Sequence, residues 1–242
     1  MCGRYTLTSS GEELATYFEA EVAEDLVLLS PRFNIAPTQD APVIRVAEVP
    51  EDGAGPGERV IALHRWGLIP AWAKDAAIGN RMINARSETA SDKPAFREAI
   101  RTRRCLVPLD GFYEWKRRGK VREPSWFHPP EGEGPWAAAG LWERWWDAEN
   151  RLLHSFTILT TDANEVVSQL HDRMPMLLDD EGQTRWMDAA VEDPEALTDL
   201  RIPWDAKRTA VQAVSLRVND ARAQGPELLN PPEPPDQGEL FK

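Results

Sequence analysis

From Cys105 to Thr161 the chain strings together short segments, each rich in aromatic or β-branched residues and each bounded by glycine, proline or charge: Cys105–Leu109, Gly111–Trp115, Trp126–His128, Trp136–Trp142 and His154–Thr161. Segments of this length read as strands, and no repeating βαβ rhythm separates them. A doubly wound parallel sheet is therefore disfavoured, and the pattern predicts an α+β single domain with a curved, barrel-like, mostly antiparallel β-sheet flanked by short helices. Val43–Val46 and Val60–Trp66 read as a strand pair joined by an acidic loop, and a further strand is expected from Val211 to Val218. Arg32–Pro37 is bounded by prolines and reads as a short extended segment near the surface. Ser10 followed by Glu13 resembles a capping box, with Leu14, Tyr17 and Phe18 giving an apolar stripe over residues 11–20. A second helix is expected to start near Asp92–Pro94 and end at Arg101–Arg104, and short helices fit Glu165–Leu170, Glu181–Met187 and Pro194–Leu200.

At 242 residues the chain is long enough to bury a full core without staples, and no linker divides residues 2–230. Residues 231–242, with four prolines, are expected to be disordered. Cys2 and Cys105 form neither a metal spacing nor a disulfide framework. With no membrane-length apolar run and no signal-peptide pattern, a cytoplasmic, monomeric chain without membrane association is expected. A net charge of −12 argues against a protein that coats nucleic acid non-specifically. The base is nevertheless bunched, in Arg101, Arg103 and Arg104 and again in Lys116, Arg117, Arg118, Lys120 and Arg122, so a local positive face survives the acidic total. Such a run also suits a solvated hairpin edge, where cations discourage strand pairing.

The chemistry concentrates at Met1-Cys2-Gly3-Arg4. Loss of Met1 would leave Cys2 with an amine and a thiol on adjacent carbons, with ordinary pKa values of about 7.7 to 8.0 and about 8.5. An amine of this kind condenses with a carbonyl to an imine, and the thiol then closes on the imine carbon to give a thiazolidine. The alternation that begins at Tyr5 reads as a strand that ties this terminus down. Glu114 lies among Phe112, Tyr113 and Trp115, where desolvation suits a carboxylate to proton transfer, although the same alternation permits a solvent-facing glutamate. His171 stands on a loop beside Asp172 and Arg173, whereas His64, His128 and His154 fall within expected strands. Asn84 and Arg86 occupy alternate positions of a polar segment, suited to orienting an oxygen and gripping a phosphate; asparagine and serine ahead of a helix are also ordinary caps.

Met1-Cys2-Gly3-Arg4, Phe33–Pro37, Trp66–Pro70, Asn84–Thr89, Gly111–Trp115 and His171–Pro175, taken in order, resemble the motifs of the SRAP family, the SOS response-associated peptidases. The resemblance runs over roughly residues 2–230. It implies a sensor of abasic sites in single-stranded DNA that traps the ring-opened sugar as a thiazolidine crosslink, with no cofactor and no metal. It makes Cys2 the nucleophile and Asn84, Glu114 and His171 its partners. Glu114 is assigned to proton transfer at the amine and imine, and His171 to opening the sugar. Arg4, Arg86 and Arg173 would meet phosphates, Trp72 would stack on a base, and Asn34 and Pro37 would line the same groove. The alternative is a cysteine peptidase built from Cys2, His171 and Glu114. Asp220, Ala223 and Ala73 depart from the family pattern, which puts in doubt the packing of the closing loop and the strength of stacking beside Trp72.

Overall fold

The computed structural model describes residues 2–22, 26, 29–47 and 57–232. The loop from 48 to 56 and the tail from 233 onward lie outside the described residues. In chain order the elements are β1 (Tyr5–Leu7), α1 (Gly11–Phe18), β2 (Glu21–Val22), β3 (Arg32–Ile35), β4 (Asp40–Val46), β5 (Arg59–Trp66) and β6 (Asn84–Arg86). Then follow α2 (Ala99–Thr102), β7 (Arg104–Leu109), β8 (Gly111–Arg118), β9 (Val121–His128), β10 (Trp136–Trp146) and β11 (Leu152–Asp162). The last elements are β12 (Arg173–Pro175), β13 (Leu177–Leu178), α3 (Asp180–Met187) and β14 (Ala210–Ala213). Short 3₁₀ turns fill several connections, Ala76–Arg81 and Pro194–Leu200 among them.

The barrel expected from the sequence is present. Strands β5, β4, β7, β10 and β11 pair antiparallel in that order, and a parallel contact of β11 with β5, Ser155 opposite Arg65 and Phe156 opposite Trp66, closes the ring. Closure removes the free edges that five apolar strands would otherwise expose. Ile44, Ile61, Trp66, Leu106, Leu141, Phe156 and Ile158 are fully buried in the core. A second sheet has the order β14-β9-β8-β1-β3. Its strand β1 lies between β8 and β3, so the N-terminal segment is held on both sides, and the Asp110 carboxylate accepts the backbone N–H groups of Thr8 and Ser9 and both their hydroxyls. The N-terminal strand is thereby anchored along both of its sides and at its exit.

Helix α1 has the expected capping box, the Ser10 hydroxyl accepting from the Glu13 N–H and the Glu13 carboxylate accepting from the Ser10 N–H. Three expectations need correction. The segment after Pro31 is not superficial, since Asn34 and Ile35 of β3 are fully buried. The helix expected from Asp92 is α-helical only over Ala99–Thr102; Lys93 precedes Pro94, which disfavours a helical residue there, and turns carry the chain to α2. The last strand stops at Ala213: the Ser215 hydroxyl accepts from the Arg217 N–H and opens a 3₁₀ turn over Leu216–Asn219, and Val214 and Val218 pack in a small cluster with Tyr113 and Leu228. Among the described residues no helix is long and apolar enough to cross a membrane.

Candidate functional site

Strand register brings the N-terminal residues to Glu114. Tyr5 of β1 faces Phe112 of β8, and the Tyr113 N–H donates to the Arg4 carbonyl at 3.0 Å, so continuing the antiparallel pair carries Gly3 and Cys2 toward Glu114. Cys2 is 1% exposed and Glu114 5% exposed. Burial pushes the Cys2 thiol far above its ordinary range, and the Glu114 charge adds to the rise. The thiol donates to the Arg4 carbonyl at 3.6 Å.

Asn84 arrives from the barrel side. Strand β6 runs parallel to β11, Asn84 opposite Ile158 and Arg86 opposite Thr160, and the Asn84 Nδ2 donates to the Cys2 carbonyl at 2.7 Å. Its Oδ1 is buried with no hydrogen-bond partner among the described residues. The segment leading into β6 is fixed by close packing. Gly67, at φ +122°, and Gly79 cross so tightly that a Cβ on either would lie 2.5 Å from the other's carbonyl oxygen. The Trp145 indole N–H donates to the Ala73 carbonyl at 2.7 Å and the Trp66 indole N–H to the Ile83 carbonyl at 2.8 Å.

These tethers wall a groove of about 450 Å³, whose lining includes Trp72, Arg81, Asn84, Arg86, Lys93 and Phe96. Trp72 is 60% exposed. Arg81, Arg86 and Lys93 are exposed, and among the described residues none has an ion-pair partner. Among the described residues no acidic side chain lines the groove, in a chain of net charge −12. An exposed indole beside unpaired cations is the combination that holds single-stranded nucleic acid, stacking on the base and neutralising the backbone. Arg81 and Lys93 escape sequence reading because each is an isolated cation in a turn, with no neighbouring motif to mark it.

The structure does not gather every expected residue at this groove. Arg173 is buried, its guanidinium donating to both Glu88 oxygens at 2.6 Å, to Asp162 Oδ1 at 2.7 Å and to the Thr160 carbonyl at 2.6 Å. It joins three segments and is not presented to a phosphate. Asn34 is buried rather than groove-lining: its Oδ1 accepts from Arg4 at 2.9 Å, and its Nδ2 donates to the carbonyls of Val218, Asp220 and Ala223. Those three bonds hold the closing loop that carries the departures at Asp220 and Ala223. Arg4 is half-buried and donates also to the Val218 carbonyl, at 3.1 Å. Pro37 is half-buried in the turn after β3, outside the groove lining.

His171 is half-buried on the loop before β12. Its Nδ1 accepts the Arg173 backbone N–H at 3.0 Å, which assigns the proton of the neutral ring to Nε2. The same Nδ1 lies 2.9 Å from Asp172 Oδ1, a contact that an Nδ1–H, in the other neutral tautomer or in the protonated ring, satisfies as a donor. Among the described residues no hydrogen bond joins His171 to Cys2 or Asn84. Topology nevertheless brings the loop of His171 toward the strand of Asn84, since Thr160 of β11 pairs with Arg86 of β6 and also with Pro175 of β12.

Comparison with known proteins gives a consistent result. Abasic site processing protein YoqW of Bacillus subtilis (strain 168) is 38% identical over 229 residues, covering 95% of this chain and 99% of that protein. Abasic site processing protein HMCES of Gallus gallus is 34% identical over 227 residues, covering 84% of this chain and 67% of that protein. An X-ray structure of a protein from Bacteroides thetaiotaomicron shares the fold at a TM-score of 0.81 and 22% identity, covering 95% of this chain and 99% of that one. One from Bordetella bronchiseptica superposes at a TM-score of 0.73 with 28% identity, covering 88% of this chain and all of that one. A family model described as SOS response associated peptidase (SRAP) matches residues 1–221, a span that takes in Cys2, Asn84, Glu114 and His171 together, and the chain belongs to that family.

Proposed function

We propose that this chain processes abasic sites in single-stranded DNA by forming a covalent thiazolidine through Cys2 after removal of Met1. The observation that carries the reading is the junction of two features. Cys2, buried and held by Asn84 beside Glu114, lies at one end of the residue that also lines an acid-free, indole-bearing groove. The relatives YoqW and HMCES, named as abasic site processing proteins, support the substrate class.

The chemistry balances without a cofactor. The ring-opened sugar aldehyde and the Cys2 amine condense to an imine with loss of one water. The thiol S–H then adds across the C=N bond, sulfur to carbon and proton to nitrogen. Glu114 takes a proton from the ammonium form of the amine and returns it to the carbinolamine oxygen that leaves as water. His171, in its imidazolium form, gives its Nε2 proton to the sugar ring oxygen as the ring opens and regains a proton from the anomeric hydroxyl, whose oxygen becomes the aldehyde. Trp72 stacks on a base and Arg81, Arg86 and Lys93 neutralise phosphates. The peptidase reading has weaker support, since a thiolate nucleophile needs a lowered pKa and a hydrogen-bonded base, and this thiol is raised by burial and donates to a backbone carbonyl.

The test is to incubate Met1-free protein with a single-stranded oligonucleotide bearing one abasic site. A slowly migrating species that survives heating in detergent is expected, absent with Cys2→Ala. Unmodified DNA with fully processed, folded protein refutes the proposal.

A further inference from the structure

The basic run that the abasic-site chemistry leaves unused is a protruding arm. Strands β8 and β9 pair from Phe112 with Phe127 out to Arg118 with Val121, but β1 pairs only with Gly111 and Phe112, and β14 only with Ser125 to His128. Beyond Trp115 and Pro124 the two strands therefore form a ribbon with no third strand among the described residues, closed by Gly119 at φ +61° and Lys120. Its residues 116–123 are mostly exposed and carry Lys116, Arg117, Arg118, Lys120 and Arg122 against a single acid, Glu123. The Arg118–Glu123 pair is loose, at 3.7 Å between exposed side chains.

The arrangement is costly as a mere hairpin. Arg117 stands directly opposite Arg122, and like charges facing one another across an antiparallel pair destabilise it. Arg122 lies 5.2 Å from the Trp115 ring centroid, a flat cation-aromatic platform. Repulsion from Arg122 adds to burial in lowering the pKa of Arg4, so the ribbon's field reaches the residue two positions from Cys2. A phosphodiester chain relieves all these repulsions at once.

We propose that the ribbon, through Arg117, Arg118, Lys120 and Arg122, is a second DNA-contacting surface that grips phosphates of the strand beyond the lesion. The proposal rests on the reading that DNA is the substrate and adds where the flanking strand runs. It explains how an acidic body keeps hold of a polyanion: the cations are placed on an arm away from the acid.

The experiment measures, by fluorescence anisotropy over a range of salt, the affinity of undamaged single strands of about six and about thirty nucleotides, lengths on either side of a typical binding site. Wild type is compared with R117Q/R118Q/K120Q. The triple variant is expected to bind the long strand at least about tenfold more weakly at low salt, and to lose roughly 2 from the log–log salt slope, about 0.7 for each phosphate contact. Its affinity for the short strand, and its rate of adduct formation on a short abasic strand, stay at wild-type values. An unchanged long-strand affinity and slope, or equal weakening of both lengths, overturns the arm. Should the triple variant unfold, K120Q alone at the exposed turn must still lower the slope by about 0.7, and R117K/R118K must preserve it. Absence of adduct in the wild type refutes the abasic-site reading while leaving the affinities to decide the ribbon.

Discussion

The side-chain amide of Asn84 donates to the backbone carbonyl of Cys2 across 82 residues of sequence, at 2.7 Å, and so couples the barrel to the N-terminal strand of the other sheet. Asn84→Ala and Asn84→Asp both delete that donor. A single hydrogen bond of this kind contributes about 1 kcal/mol to stability, so denaturant midpoints should shift only modestly. Adduct formation should slow by roughly tenfold or more, because a nucleophile displaced by a fraction of an ångström loses its alignment. A large stability loss with wild-type adduct rates would make the bond purely structural.

Glu114→Gln separates two effects of one carboxylate. Burial is the main cause of the raised Cys2 thiol and the Glu114 charge the second. The neutral variant should therefore hold more of Cys2 as thiolate at a given pH and react faster with a thiol-specific alkylating reagent, while forming adduct more slowly for want of a proton carrier. If alkylation is no faster in the variant, Glu114 is not electrostatically coupled to Cys2.

Arg173→Ala and Arg86→Ala should part company. Arg173 is buried against Glu88, Asp162 and Thr160, although both carboxylates are partly exposed, so its loss should destabilise by about 1–3 kcal/mol after screening. Arg173→Lys should not restore the fork of bonds to Glu88. Arg86, exposed in the groove, should leave the unfolding midpoint unchanged and weaken single-strand binding with a shallower salt slope. The reverse pattern would return Arg173 to the DNA.

That contrast shows how far the sequence carries. Cys2, Glu114 and Asn84 were legible because each carries its context in adjacent residues: a terminal amine, an aromatic frame, an alternating polar segment. The barrel strands were legible for the same reason. The commitment of Arg173 depended on Glu88, 85 residues away, and that of Asn34 on carbonyls beyond residue 217, and neither partnership leaves a local trace. Barrel closure was equally remote, since the β11–β5 contact joins Phe156 to Trp66. The basic ribbon was visible as charge, but its freedom from a third strand is a fact of topology alone.

His64 predicts a pH dependence of stability. Burial, with His154 stacked at 4.9 Å adding to it, lowers the His64 pKa from 6.5 to about 3. The folded state holds the ring neutral while the unfolded chain protonates it below about 6.5, so the unfolded state binds more protons between these values. Stability must therefore fall as pH drops from 6.5 toward 3, by up to about 1.4 kcal/mol per pH unit from this group. Urea midpoints at pH 7, 6 and 5 should decline less in His64→Phe than in wild type; equal declines would show that His64 titrates normally in the fold.

Trp72→Ala tests the groove itself. The indole is 60% exposed, so the substitution removes little packing, and the unfolding midpoint should hold within about 0.5 kcal/mol. Base stacking on an aromatic ring contributes about 1–3 kcal/mol per base, so single-strand affinity should fall roughly five- to 150-fold. Phe at the same position should recover much of the loss, because stacking needs a flat ring more than an indole N–H. With Ala73 beside it in place of a second aromatic, Trp72 has no adjacent ring to compensate for its removal. Wild-type affinity in Trp72→Ala would mean that DNA takes another path across the barrel.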